Sequence, residues 1–312
     1  MRSAAIVFEK PGALAVRRLA LNAPDTADVV VASHFSGVSS GTEKMLYEGT
    51  MPTFPGMRYP LVPGYETVGT VVEAGATSGR SVGDQVFVPG ANCYADAAGL
   101  FGASAATLVV PGARTVKTRF EREEEAALLA LAATAHHAVC RSPRAASLVI
   151  GHGVLGRLIA RIILATGNPP PTVWETRDVR RAGAQGYTVT APEADRDLRH
   201  DVIIDASGDA GVIDQAIGRL NRGGELVLAG FYGERVHFAF PAAFMKEASI
   251  AIAAEFTPTD VQAVLNLVDQ GRLSLHGLIT HFAAPADAAS AYRTAFNDPD
   301  CLKMIIDWRN AA

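Results

Sequence analysis

Three cysteines in 312 residues, Cys93, Cys140 and Cys301, are too few and too scattered for a disulfide framework or a paired-thiolate metal centre. A four-thiolate zinc site is excluded by count. Long hydrophobic runs are missing as well. The nearest candidate, Ala126 to Cys140, contains His136 and His137 and falls short of the ~18 residues of a bilayer span. At the start, MRSAAIVFEKPG reaches Glu9 and Lys10 before a secretory core can form, so a cytoplasmic protein is expected. A basic surplus is also absent: 28 Lys and Arg face 32 Asp and Glu, net charge −4, and no basic stripe recurs that would follow a phosphate backbone. This argues against a nucleic-acid partner, but leaves peripheral docking at a membrane surface open.

What is present is core-forming material. With 49% hydrophobic and 19% charged residues the chain can bury a large interior, which argues against disorder. At ~150 residues per domain, its length suggests two domains.

The first hundred residues read as short extended runs broken by Gly and Pro: Ala4 to Phe8, Val29 to His34, Thr67 to Glu73, Gln85 to Val88 and Thr107 to Val110. The stretch GTMPTFPGMRYPLVPG, residues 49–64, carries four prolines, which predicts a long surface loop of the kind that lines a site. From Glu121 the pattern changes to an acid-led helix and then to alternating strands and helices, which implies a parallel, doubly wound sheet. The strand-like LKMIIDW, Leu302 to Trp308, has no α/β neighbour and is expected to return to the β domain. The expected architecture is α/β, with a β domain over 1–119, a dinucleotide-binding domain over 120–257 and a C-terminal return over 258–312.

The strongest local signal is LVIGHGVLGRLIARI, a strand, a glycine loop of Gly151, His152, Gly153, Val154, Leu155 and Gly156, and a helix. Gly151 allows the tight turn and Gly153 lets the backbone approach a pyrophosphate. Gly156 lets helix and strand pack closely, with the phosphates on the helix N-terminus. Glu175, 19 residues beyond Gly156, ends the next strand, where a carboxylate accepts from a ribose diol and repels a 2′-phosphate. NAD is therefore favoured, although Arg177 nearby suits a 2′-phosphate. Ala206, Ser207 and Gly208, then Gly230 and Phe231, follow later strands and should border the nicotinamide half.

A β domain with GYETVG, a nucleotide unit with GHGVLG and a C-terminal return together resemble the medium-chain dehydrogenase/reductase superfamily over nearly the whole chain. The resemblance implies a GroES-like β domain joined to a Rossmann domain, and a cofactor contact from Thr134 in ATAHH. It also exposes departures. Zinc members carry Gly-His-Glu where this chain has Gly64-Tyr65-Glu66, and a cysteine where it has Ser39 or Ser40. Thr42 and Glu43 keep the hydroxyl and the acid, whereas ALLALAATA offers no third ligand. Tyr and Ser are poor zinc ligands, so no catalytic metal is expected. The structural-zinc lobe is missing too.

More narrowly, FEKPG, SGTEKMLYEG, MPTFPGMRYPLVPGYE, FVPGANCYADAAGLFG, LLALAATAHHA and PTVWET resemble the branch of that superfamily serving bacteriochlorophyll biosynthesis. That likeness implies NAD-dependent oxidation of a 1-hydroxyethyl group to acetyl on a magnesium tetrapyrrole. Without zinc another group must take the hydroxyl proton. Tyr65 is the first candidate, assisted by Glu66 or Thr42, with Ser39 next; the other reading is that Tyr65 only fills the space of the metal. Phe54, Met57, Phe101 and Phe231 either line an apolar slot for the macrocycle or pack in the core. His152 is expected to tune the cofactor edge, and His136 and His137 to pack or meet solvent. Superfamily members often pair at the sheet edge near Ser249 to Ala253, so a homodimer is expected. The competing functions are a zinc-free quinone or enone reductase preferring NADPH, and a nucleotide-binding redox sensor without turnover.

Overall fold

The computed structural model describes residues 1–311 except Phe54 and Leu198. The chain divides into two compact units, one of Met1–Ala130 with His276–Ala312 and one of Leu131–Leu275. These boundaries differ from 119 and 257. Residues 123–128 pack on the β strands of the first unit, and Asp260 takes its histidine partners from the second.

The first unit opens with β1 (Arg2–Lys10), β2 (Ala13–Ala20) and β3 (Asp28–Val38), followed by a short helix α1 (Thr42–Glu48). Then come β4 (Leu61–Val62), β5 (Thr67–Ala74), β6 (Gln85–Val88), β7 (Ala98–Gly99), β8 (Thr107–Pro111) and β9 (Val116–Lys117). Every expected N-terminal strand is present. The proline-rich segment is a loop only in part, because Leu61 and Val62 are fully buried and β4 lies inside a sheet of order β2-β1-β4-β7. Pro60 and Pro63 flank the strand. Their missing N–H groups therefore fall outside its pairs, Leu61 with Phe8 and Ala98, and Val62 with Gly99.

A helix α2 (Leu129–Val139) follows a short 3-10 turn and leads to the second unit: β10 (Leu148–Ile150), α3 (Val154–Ala165), β11 (Thr172–Trp174), β12 (Thr188–Thr190) and β13 (His200–Asp205). The rest is α4 (Ile213–Arg219), β14 (Leu220–Leu228), α5 (Phe240–Lys246), β15 (Ser249–Ile252) and α6 (Pro258–Asp269). The six strands are all parallel in the order β12-β11-β10-β13-β14-β15. The order reverses between β10 and β13, the point beyond which such sheets bind nucleotides. Leu148, Ile150, Ile203, Leu226 and Leu228 form the core with helix residues Ile213 and Ile217, which accounts for the short apolar runs.

The chain re-enters the first unit through β16 (His281–Ala283), α7 (Ala288–Asn297) and β17 (Met304–Asp307). As expected of LKMIIDW, β17 pairs antiparallel with β3, and Trp308 Nε1 donates to Ser36 Oγ at 2.8 Å. No helix among the described residues is long and apolar enough to cross a membrane.

Candidate active site

In the first unit, β3 delivers Ser39 to the start of α1, while the turn at Gly64 delivers Tyr65 and Glu66 to the start of β5. Gly64 sits at φ +101°, and a Cβ there would lie 2.7 Å from the Ser104 amide. Tyr65 is half-buried. Its hydroxyl donates to Ser39 Oγ at 2.9 Å, and its ring meets Phe101 edge-on, centroids 5.3 Å apart. Glu66 turns the other way and is fully buried, where Oε2 accepts from the Lys303 ammonium. Gly37 makes room for that pair, because a Cβ there would overlap Glu66 Oε2 and crowd Lys303 Cε.

The electrostatics correct one expectation. Burial, followed by the charge of Glu66, pushes the Tyr65 phenol well above its ordinary range, with only partial offset from the Ser39 and Thr42 hydroxyls. Glu66 therefore opposes a phenolate. Its own pKa is raised by burial against the pull of Lys303. Glu43, also fully buried, is raised to about 8 by burial and then by Glu66.

Removing one partner of a buried pair strands the other, so Lys303→Met is expected to cost ~3–5 kcal/mol of stability, read from urea unfolding.

In the second unit, β10 runs into Gly151 at φ +95°, and Gly153, which offers no side-chain cap, is the N-cap of α3. A Cβ on Gly153 would meet nothing within 4 Å, whereas one on Gly156 would overlap the Gly151 carbonyl oxygen. That open space adjoins the N-terminus of α3, where Val154 and Leu155 begin the helix and the N–H groups of a first turn have no intrahelical acceptor, a setting that fits a pyrophosphate. Glu175 is buried at the end of β11, accepting from the His152 amide at 3.2 Å and the Arg177 amide at 2.9 Å. Arg177 itself is exposed. After β13, the Ser207 amide donates to Asp205 Oδ1 at 2.8 Å and Ala206 donates to Ile150 O at 2.9 Å. Gly230 follows β14 so close to the Gly208 backbone that a Cβ would lie 2.6 Å from its nitrogen; Phe231 beside it is exposed. Thr134 is half-buried on α2.

Residues 25–119 match the alcohol dehydrogenase GroES-like domain family. Over the full length of both chains, the protein is 52% identical to 2-desacetyl-2-hydroxyethyl bacteriochlorophyllide A dehydrogenase of Cereibacter sphaeroides. It is 51% identical to the enzyme of that name from Rhodobacter capsulatus, again over the whole of both chains. This chain belongs to that dehydrogenase family. Solved structures with the same fold include an Escherichia coli alcohol dehydrogenase in complex with NADH, TM-score 0.82 and 21% identity over 98% of this chain and 99% of that one. A Sinorhizobium meliloti dehydrogenase bound to NADP has TM-score 0.83 and 18% identity over the same shares. The chain is thus a medium-chain dehydrogenase, as its motifs indicated.

Within this dehydrogenase, zinc does not suit the donors present. Tyr65 and Ser39 are neutral hydroxyls paired with each other, Glu66 is committed to Lys303, and no group of three metal-binding side chains exists among the described residues. Among the substrate candidates, Phe101 is partly exposed beside Tyr65, whereas Met57 packs on the first unit's core. Phe54 lies outside the described residues.

His152 in the glycine loop turns its ring away from solvent. Its ring is buried, with Nδ1 2.6 Å from Arg180 O and Nε2 2.9 Å from Tyr187 Oη, and burial lowers its pKa to about 4. The carbonyl requires the proton on Nδ1, so Nε2 accepts from Tyr187. The ring holds the loop behind Glu175, which Arg157 also clamps by donating to the carbonyls of Arg180, Ala182 and Gly183. His136 and His137 both place Nδ1 on Asp260, at 2.7 and 3.1 Å. Lys303, Gly37 and Arg157 went unrecognised in the sequence. The one signal was a lysine interrupting an apolar strand.

Proposed function

We propose that this protein oxidises the 1-hydroxyethyl substituent of bacteriochlorophyllide a, a magnesium tetrapyrrole, to acetyl, with NAD and without a catalytic metal. The observation that carries the reading is the full-length identity above 50% to two dehydrogenases named for that substrate. The glycine loop before α3 supports a nicotinamide cofactor, which supplies the hydride acceptor when bound.

The chain's own part is proton handling and positioning. Tyr65, kept a neutral phenol, accepts the alcohol proton while giving its own to Ser39 Oγ. The Thr42 hydroxyl also acts on the phenol, opposing the rise of its pKa. The exposed edge of Phe101 offers an apolar wall to the macrocycle. Cationic charge developing at the carbinol carbon spreads into the conjugated ring, so less alkoxide stabilisation is required than for a simple alcohol.

Incubation with NAD and hydroxyethyl-bacteriochlorophyllide should give a red-shifted acetyl product and stoichiometric NADH, from enzyme holding no zinc by metal analysis. Reduction of simple quinones without that product would identify a quinone reductase, and nucleotide binding without either activity a sensor.

Glu175, with two backbone donors fixing it, supports NAD over NADP. Removing its hydrogen bonds to the ribose, in Glu175→Ala, should raise KM for NAD by the ~1.5–3 kcal/mol of charged hydrogen bonds, roughly 10- to 150-fold. A wild-type preference for NADP would contradict the assignment. The edge position of β15 among the described strands, with Ile252 exposed on it and Phe240, Phe244 and Met245 exposed on α5, supports a homodimer, checked by sedimentation.

A further inference from the structure

In the second unit, Val202, Ile203 and Ile204 of β13 are buried and apolar, and the strand then ends in an acid, Asp205, that is fully buried too. Its carboxylate holds two loops at once. Oδ1 accepts the Ser207 amide at 2.8 Å, from the loop that follows β13, and Oδ2 accepts the Tyr232 hydroxyl at 2.7 Å, from the loop that follows β14. The Asp205 carbonyl oxygen takes the amides of Ala229 and Gly230 as well, at 2.8 and 3.1 Å. Burial and the charge of Asp205 push the Tyr232 phenol up, so it keeps its proton and donates. The tyrosine ring packs against the core cluster that contains Ile203 and Leu228. Burying a carboxylate among neutral donors is costly, and an apolar side chain would fill the same place without that cost. What the acid adds is the tie between the two loops.

The tied loops meet backbone to backbone. A Cβ on Gly230 would lie 2.6 Å from the Gly208 nitrogen, and one on Gly208, at φ +70°, would lie 3.1 Å from the Phe231 carbonyl oxygen. On its other side the loop after β13 abuts the glycine loop, where a Cβ on Gly151 would lie 3.1 Å from Ser207 Cα. A dinucleotide with its adenosine ribose at Glu175, beyond β11, and its pyrophosphate at the start of α3 therefore continues across the tied loops toward β14. We propose that Asp205 and Tyr232 form a clasp that positions the nicotinamide half of the cofactor, acting through the backbone of residues 206–208 and 230–231. Both are positioning residues, and the proposal rests on the nicotinamide-cofactor reading above. Glu175 and the start of α3 lie outside the clasp, so it bears on one half of the dinucleotide alone.

The test compares binding of NADH with binding of ADP-ribose, which keeps the adenosine, the pyrophosphate and the second ribose but has no nicotinamide. Tyr232→Phe leaves the ring in the core and removes only the hydroxyl on Asp205. It should raise Kd for NADH roughly 10-fold, the low end for a hydrogen bond to a charged group, and leave Kd for ADP-ribose unchanged. Turnover at saturating NAD should fall by a similar factor, because the ring is held out of place. Asp205→Asn can keep both contacts, its amide oxygen accepting from Ser207 and its amide N–H donating to Tyr232 Oη, and should retain the wild-type ratio of the two constants. A Tyr232→Phe that weakens both ligands equally, or neither, would overturn the proposal, as would a changed ratio in Asp205→Asn. If the variants fail to fold, wild type decides by NMR hydrogen exchange. NADH should slow the Ser207 and Gly230 amides beyond what ADP-ribose achieves, and equal protection by the two ligands would overturn the proposal. Wild type that binds neither ligand would sink the cofactor reading itself, and the proposal with it.

Discussion

Gly156→Ala is expected to abolish useful nucleotide binding, with Kd for NAD rising by roughly 10²-fold or more, equivalent to about 3 kcal/mol. The added methyl would overlap the carbonyl oxygen of Gly151, a backbone atom that no rotamer change can move aside. Relief requires α3 to shift away from the loop that ends β10. That shift withdraws the helix N-terminus from the phosphate position. Isothermal titration with NAD reads the effect. Unchanged affinity would mean that the nucleotide does not sit on this loop. Gly153→Ala is the informative contrast. Its methyl would enter open space in the unliganded fold, so stability should be kept while binding suffers.

Tyr65→Phe should lower kcat by about 10²-fold, the low end of what proton transfer by a positioned group contributes, with little change in KM for NAD. The variant keeps the ring against Phe101 and removes only the hydroxyl on Ser39. The loss is bounded because the macrocycle delocalises charge at the reacting carbon. Stopped-flow hydride transfer separates this step from product release. Full activity in Tyr65→Phe would leave the tyrosine as a space filler and move the proton path to Thr42.

Much of the fold was legible because its signals are local. Short extended runs broken by Gly and Pro marked β1, β3 and β5, and the continuous apolar run before Gly151 marked a strand buried on both faces. The short β4 was hidden because proline content argues against a strand, and only its placement between Pro60 and Pro63 resolves the conflict. The nucleotide loop was legible for the same local reason, a glycine pattern in strand-turn-helix context. The inner half of the candidate site was not. Glu66 meets Lys303 across 237 residues, and His136 meets Asp260 across 124, contacts that no spacing rule announces. Nor does sequence tell which way a side chain turns. His152 occupies the glycine loop, yet its ring faces Arg180 and Tyr187, and Glu66 adjoins Tyr65 yet faces the opposite direction. Burial decides both.

The most direct test of the central claim follows the hydride. Hydroxyethyl-bacteriochlorophyllide carrying deuterium on the carbinol carbon is turned over with NAD by enzyme shown to be free of zinc, and the reduced cofactor is examined by mass spectrometry and NMR. One deuterium on nicotinamide C4 for each acetyl group formed is the predicted result. Acetyl product with unlabelled cofactor, or turnover only after zinc is restored, would contradict it.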